Sequence, residues 1–510
     1  MKQTKPYWII IIMLAAVKFL LPFILQSPVY ELQRDEYLYY QQGQHFDLGY
    51  LENPPLLSWL GMISSWLGGS EFWIKLWPSL FGAFTIIVTC LLTAEFGGRA
   101  FAQFLAGLGI ITGAYLRMHS LFQPNILDIF FWTLSIYLLV RFIKTRETKF
   151  LYGFVFSLAL GWWGKYSIIF LVASIFIGLL LSKHRSIFLQ RKTYIAIFLG
   201  VVLIVPNVWW QYDHKWPLIH HMQELQETQL QFSNPIGFLV DQLLYLIPVV
   251  FVWITGLVWL FKQKEWRFLG WSYFLVIALL ILGRGKSYYS MGIYPMLLAA
   301  GGVSLENWTI RKKWLRPALT VLAIALTIPF IPMLLPIWKP EKLAAFYKKN
   351  NIEKTGLLKW EDQQNHPLPQ DFADMLGWKE LTKKTEAFFN SLPDSTKANT
   401  IINCDNYGQA GAFQFYGKGD SFKRKTITGN GSFLLWLPDH LVFKNVIFTG
   451  RERPDEGFFQ HFEKTTVIDS VVNQLSRQYG EKIFYFQNID TTGLKLVAER
   501  VRQLKKEFAR

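Results

Sequence analysis

Polar and apolar positions in this 510-residue chain follow two different regimes. From residue 7 to residue 337, long apolar runs alternate with short polar gaps. A membrane-crossing helix needs about 20 mostly apolar residues. The runs predict eleven such helices, at roughly 7–27, 73–94, 100–117, 125–143, 150–164, 166–182, 194–210, 238–261, 268–283, 288–305 and 317–337. The fifth and sixth are short and share a tight turn at Gly164-Lys165. After Pro340 the pattern changes: residues 341–510 are rich in charge and lack a run long enough to span. Segments such as Asn445-Val446-Ile447-Phe448 and Lys482-Ile483-Phe484-Tyr485-Phe486 read as strands, and Lys379 to Phe389 as a polar helix. The expected fold is a polytopic α-helical membrane domain, 1–340, followed by a small extracytoplasmic α/β domain, 341–510.

Composition agrees, at 52% hydrophobic and 17% aromatic residues. A net charge of +16 would suit a nucleic-acid partner, but its placement argues against one. The basic residues cluster in alternate gaps: Arg141, Lys144, Arg146 and Lys149; Lys183, Arg185, Arg191 and Lys192; Lys262, Lys264 and Arg267; Arg311, Lys312, Lys313 and Arg316. This is the positive-inside pattern of a multi-pass protein. It places the N-terminus and these clusters in the cytoplasm. With an odd number of spans, loops 28–72, 118–124, 211–237 and 284–287 and the C-terminal domain lie outside the inner (plasma) membrane, in the periplasm or extracellular space. The first run, Tyr7 to Leu25, follows Lys2 and Lys5 like a signal peptide but lacks a small-residue cleavage pattern before Glu31, so it reads as a retained helix. Cys90 and Cys404 fall in different regimes, which gives neither a disulfide framework nor a cysteine metal site. No internal repeat stands out.

The candidate chemistry sits in the outer loops. The first carries Arg34-Asp35-Glu36-Tyr37 and then Glu52-Asn53-Pro54-Pro55-Leu56. Adjacent acids just after a membrane helix are costly unless they meet water or a partner, although acids also favour a helix start through its dipole. The proline pair predicts an extended, rigid segment that would hold Glu52 near Asp35. The second loop contains His119 and Gln123-Pro124-Asn125, with Asp128 one turn into the next helix. An acid inside an apolar run is a functional candidate, or else it caps or snorkels near the interface. Glu52, Asp128 or His119 could ligate a divalent metal, but scattered ligands do not demand one, and no cofactor is required. Lys165, among Trp162, Trp163 and Tyr166, would otherwise be a snorkelling lysine. The segment Gly283-Arg284-Gly285-Lys286-Ser287-Tyr288-Tyr289 breaks the charge pattern by placing two cations outside. Cations and free amides around glycines suit a phosphate. Acids and a phosphate-suited basic loop on one side are what transfer from a lipid-phosphate sugar needs: cations for the leaving phosphate and a carboxylate for the acceptor hydroxyl.

These motifs resemble glycosyltransferase family 39 of the GT-C superfamily. That group includes protein O-mannosyltransferases and the related aminoarabinose transferases acting on lipid A. The resemblance covers nearly the whole chain. It rests on Asp35-Glu36; Glu52 before Pro54-Pro55-Leu56; Gln123-Pro124 with Asp128 and Phe131-Trp132; Gly164-Lys165-Tyr166-Ser167; Pro206-Asn207-Val208-Trp209-Trp210 with His214-Lys215-Trp216-Pro217; Gly285-Lys286 through Tyr294-Pro295; and Asp405-Asn406-Tyr407-Gly408-Gln409-Ala410-Gly411-Ala412. It implies inverting transfer of a sugar from a polyprenyl-phosphate-linked donor to a hydroxyl or phosphate of a lipid, glycan or protein acceptor. Asp35 would be the general base, aided by Glu36. Glu52, His119, Asp128 and Tyr288 would contact substrate, and Lys286, Arg284 and Lys165 would hold the phosphate. There are departures. Asn125 stands where many members have Asp, Asn53 where aminoarabinose transferases tend to have Lys, and Lys215 where Gly is common. A lipid transporter or flippase is the alternative, as is a non-catalytic binder of lipid-linked sugars. The missing repeat disfavours transport.

Overall fold

The computed structural model describes residues 4–228, 234–454 and 457–508. The first ten helices are α1 (Trp8–Leu25), α2 (Arg34–Gln42), α3 (Leu56–Trp66), α4 (Glu71–Glu95), α5 (Ala100–Ile111), α6 (Tyr115–Met118), α7 (Asn125–Thr145), α8 (Thr148–Gly164), α9 (Ile168–Leu180) and α10 (Arg191–Asp213). Helix covers each predicted apolar segment, but the structure does not confirm eleven full spans. Among the described residues, five segments are long and apolar enough to cross a membrane by themselves: α1, α4, α7, α10 and Leu315–Leu334. A sixth is available if Pro235–Leu244 and Ile247–Lys262, bent by 63°, form one broken span. Other apolar helices, such as α5, α9 and Arg267–Leu282, are shorter. The segment expected at 288–305 opens as a 3₁₀ turn, Ser287–Ile293, before the helix Tyr294–Trp308.

The first outer loop differs from expectation. Residues 28–72 contain two helices, α2 and α3, and the proline pair is not an extended strut. Pro55 is in the helical region (φ −84°, ψ −9°) and opens α3. The fixed φ of proline suits a helix start as well as a rigid extended chain. In the loop expected at 211–237, Pro217–Thr228 is helical, and residues 229–233 lie outside the described residues.

Hydroxyls along α4 are satisfied within their own helix, as a bilayer favours. Thr85, Thr89 and Thr93 of α4 each donate to the carbonyl four residues back, at 2.7–2.8 Å. At one end of the bundle, Glu306 accepts from the backbone N–H groups of Arg99, Phe101 and Ala102 and so closes the start of α5. At the same end of α4, Glu95 pairs with Arg141 and Lys144. Asp35, Lys165 and Lys286 belong to the opposite end, where α4 and α7 begin.

Five strands form the C-terminal sheet: β1 (Thr400–Cys404), β2 (Thr426–Ile427), β3 (Asn445–Gly450), β4 (Phe462–Ser470) and β5 (Lys482–Ile489), in the order β2-β1-β3-β5-β4. β1 runs parallel to β2 and β3, and β5 antiparallel to β3 and β4. Ile402, Ile447, Ile483 and Tyr485 face one apolar layer with Leu381, Phe389 and Phe413. Ile401, Val446, Phe448, Phe484 and Phe486 face the other, with Val497 and Val501. The period-two alternation thus covers both faces with helix.

The domain is fastened to the membrane bundle through α2. Leu38 of α2 is buried in the layer with Phe413 and Ile402. In return, Trp378 and Ala412 join the cluster of Tyr37, Leu57, Ile74 and Phe122. Tyr37 donates to the Tyr416 hydroxyl at 3.0 Å, and Tyr416 to Glu71 at 2.9 Å. Glu31 accepts from the backbone N–H groups of Trp378 and Lys379. Burial raises the Glu31 carboxyl to about 7, against the lowering pull of those donors and of Lys379. A carboxyl whose folded value lies above its unfolded one contributes stability that is fully present below the unfolded value and is lost as pH rises through the folded one. Folded-state stability should therefore fall between about pH 5 and pH 7.5, by at most about 1.4 kcal/mol per pH unit from this group, and then level off. Melting curves of the purified protein across that range should show a shallower slope in Glu31→Gln. An unchanged slope would remove Glu31 as a contributor.

Candidate active site where helices α4 and α7 begin

Helix α2 begins with a reciprocal cap. Gln33 accepts from the Asp35 N–H at 2.9 Å, while Glu36 accepts from the Gln33 N–H at 2.7 Å. This cap sets the directions of the two adjacent acids. Glu36 turns inward and is fully buried, where it pairs with Lys75 of α4 (2.6 Å) and accepts from the Phe122 N–H (2.7 Å). Its oxygens are all engaged in joining α2 to α4 and to the second loop. Glu36 thus clamps α2 to α4 and to the second loop through both of its oxygens.

Asp35 turns the other way and stays partly open, with its side chain 24% exposed. Oδ1 accepts from the Tyr407 hydroxyl at 2.7 Å and lies 3.4 Å from Arg34 Nε. Oδ2 receives only a longer contact, 3.3 Å, from Gln123 Nε2. Gln123 Oε1 in turn takes a 3.5 Å contact from Asn125 Nδ2, and Asn125 Oδ1 accepts from Lys165 Nζ at 2.7 Å. A polar string thus runs from the carboxylate on α2, through the second loop, to the lysine in the α8–α9 turn. Lys165 Nζ lies 3.9 Å from the ring centroid of Tyr289 and 5.4 Å from that of Tyr288. Asp128 is buried beside it within electrostatic reach, and Lys286 approaches from the Ser287 side. Among the described residues Lys286 forms no ion pair. The Ser287–Ile293 turn is itself anchored by Ser287 donating to Asp241 and Ser290 donating to Gln242.

The other candidates go elsewhere. Glu52 is half-buried against the C-terminal domain. It accepts from the Ser432 N–H at 2.8 Å and from Gln42 Nε2 at 2.9 Å, and the Ser432 hydroxyl completes the set. Burial raises its carboxyl above the usual range, although the Ser432 bonds oppose this. Glu52 works as a latch between the first loop and residues 431–432. His119 lies beneath the site, stacked on Tyr115 (centroids 5.7 Å apart) and sharing with Lys18 the space beside Gly82. Arg284 is exposed, with φ +50°, on the outside of its turn, and no bond ties it to Lys165. Glu52, Asp128 and His119 are therefore not one donor set, and no group of three His, Cys, Asp or Glu side chains fit for a metal occurs among the described residues.

Sequence reading missed the role of Gln123, Asn125, Tyr289 and, above all, Tyr407. The Asp405–Ala412 segment was visible as a motif, but nothing along the chain tied it to Asp35. The tie is a close packing of helices. Asn406 caps the helix Tyr407–Tyr416 by accepting from the Gly408 and Gln409 N–H groups. Gly408 lies against the Arg34 side chain and Gly411 against Tyr37, so a Cβ at either position would collide with α2. Burial first, then Asp35, pushes the Tyr407 phenol well above its ordinary value, so it serves as a donor.

Residues 52–210 match the family model described as dolichyl-phosphate-mannose-protein mannosyltransferase. The lipid A galacturonosyltransferase RgtD of Rhizobium johnstonii is 25% identical over 307 residues, covering 57% of this chain and 64% of that protein. The chain thus spans about two thirds of the length of this curated relative. Among solved structures, ArnT from Cupriavidus metallidurans bound to undecaprenyl phosphate superposes with a TM-score of 0.58 at 13% identity, over 94% of this chain and 98% of that one. Its apo form gives 0.57 at 12% identity, over 94% and 97%. The chain thus has a GT-C-like fold with several apolar candidate spans and a C-terminal sheet domain, and its residues 52–210 are similar to the dolichyl-phosphate-mannose-protein mannosyltransferase family.

Proposed function

We propose that this chain is a glycosyltransferase that moves a sugar from a polyprenyl-phosphate donor to an acceptor hydroxyl or phosphate at the outer face of the inner membrane. The observation that carries the reading is the polar string joining an open carboxylate oxygen, Asp35 Oδ2, to a half-buried cation, Lys165. The C-terminal domain and both outer loops would face the periplasm or extracellular space, with the basic clusters in the cytoplasm.

For a hydroxyl acceptor the reaction divides between the two ends of that string. The acceptor O–H gives its proton to Asp35 Oδ2 as its oxygen attacks the anomeric carbon. The bond from that carbon to the phosphate oxygen breaks, and its electron pair leaves with the polyprenyl phosphate. Lys165 and Lys286 stabilise that developing charge, while the Tyr288 and Tyr289 rings shield the lysine from water. Attack from the side opposite the phosphate inverts the anomeric centre. An apolar cavity of about 270 Å³ opens below the Lys165 turn, lined by Leu158, Trp162, Ile168, Val172, Val201 and Ile204. It offers a berth for the first isoprene units of the donor. The named activity of RgtD and the undecaprenyl phosphate bound to ArnT support this reading, and make an envelope glycolipid of the lipid A type the acceptor to test first.

Asp35→Asn should lower product formation by about 10²-fold or more. The check is mass spectrometry of envelope lipids, glycans and proteins from a deletion strain expressing wild type or variant to equal levels. A sugar-sized mass shift made equally by both would remove Asp35 as the base. Lys165→Ala should weaken undecaprenyl phosphate binding in nanodiscs by about 10-fold or more, the scale of one charge-assisted hydrogen bond, while Arg284→Ala should not. Equal losses in the two variants would count against the assignment of Lys165.

A further inference from the structure

The transferase reading leaves the C-terminal domain without a part in the chemistry. We propose that this domain is a working component of the active site, and that Tyr407 is the positioning residue that aims Asp35. The proposal rests on the transferase reading above.

Three observations converge on it. First, the Tyr407 hydroxyl donates to Asp35 Oδ1 at 2.7 Å across 372 residues of sequence, while Oδ2 keeps only a 3.3 Å contact. A carboxylate held at one oxygen presents the other in a fixed direction, and such orientation governs how well a base meets its proton. Second, the hydroxyl is delivered by several independent contacts. The Tyr407 N–H donates to Asn430, Asn406 caps its helix, the Arg34 guanidinium lies 5.6 Å from its ring centroid, and Gly408 and Gly411 allow the helix onto α2. The Glu52–Ser432 latch fixes the neighbouring loop. Third, Tyr407 follows the carboxyl end of β1, between strands β2 and β3 that both run parallel to it. The carboxyl ends of parallel strands, where the order reverses, form the edge at which open α/β sheets bind ligands. That edge, Asp405–Tyr407 with Thr428–Ser432, is the one turned toward Asp35. The acceptor hydroxyl would approach Oδ2 beneath this edge.

Tyr407→Phe removes one oxygen and leaves the ring packing in place. In membranes of the deletion strain it should lower product formation by about 10- to 100-fold. The purified variant should keep wild-type melting behaviour and wild-type affinity for undecaprenyl phosphate. Added to Asp35→Asn, Tyr407→Phe should cause no further loss, since both act through one group. Independently of turnover, a water-soluble carbodiimide should label Asp35 several-fold faster in Tyr407→Phe, with Glu386 labelling unchanged. Full activity of Tyr407→Phe beside an inactive Asp35→Asn overturns the proposal and leaves the transferase reading standing. So does a further loss in the double variant equal to that of Tyr407→Phe alone. A wild type that makes nothing beyond the deletion strain removes both readings.

Discussion

One nine-residue helix, α2, is shared between two bodies, and the site depends on that sharing. Tyr37 and Leu38 are buried against residues more than 300 positions away, in contact with Trp378, Gly411 and Phe413. A helix this short would not be stable alone in water. It exists because apolar surface covers it on both sides, with the membrane bundle beneath and the sheet domain above. Whatever undocks the domain therefore also loosens the helix that carries Asp35.

Buried charge supplies the precision that packing alone lacks. An ionised side chain in a low-dielectric interior is costly unless it is paired and hydrogen-bonded. Three of the acids at this end meet that demand in different ways. Glu36 pairs with Lys75 and takes two backbone donors. Glu52 takes the Ser432 backbone and hydroxyl. Asp374 is buried against Arg477, at 3.1 Å. These arrangements have few alternatives, because moving any partner strands a charge. The result is a rigid frame around one acid, Asp35, whose second oxygen remains lightly held. Within that frame Asp35 Oδ2 is held by a single contact of 3.3 Å.

The adjacent acids Asp35 and Glu36 show how far sequence could separate roles. Their positions marked the loop as functional, but one became the open carboxylate and the other a clamp. Only the rotation of α2, set by the Gln33 cap and by Lys75, decides which faces the string to Lys165. Arg284 and Lys286 divide in the same way. They are two residues apart with similar chemistry, yet the turn carries one outward and the other toward Lys165. Tyr407 was out of reach for a different cause: its partner is distant in sequence, and a tyrosine beside glycines has no local signature of contact with an acid.

What the sequence determined by itself was everything governed by solvent preference along the chain. The apolar runs, the strand segments of β3 and β5 and the change of regime after Pro340 follow from which residues avoid water at period 3.6 or 2. The outer loops were marked as the place of chemistry by charges that the bundle could not bury without partners. The tertiary structure decided how many of the runs are long enough to cross, since helix breaks depend on packing as well as hydropathy. It also decided that the loop 28–72 folds into two helices, and that Glu52 and Glu36 are fasteners. Finally, it brought Tyr407 to Asp35. Those outcomes rest on contacts between residues far apart in the chain, whose geometry no local pattern encodes.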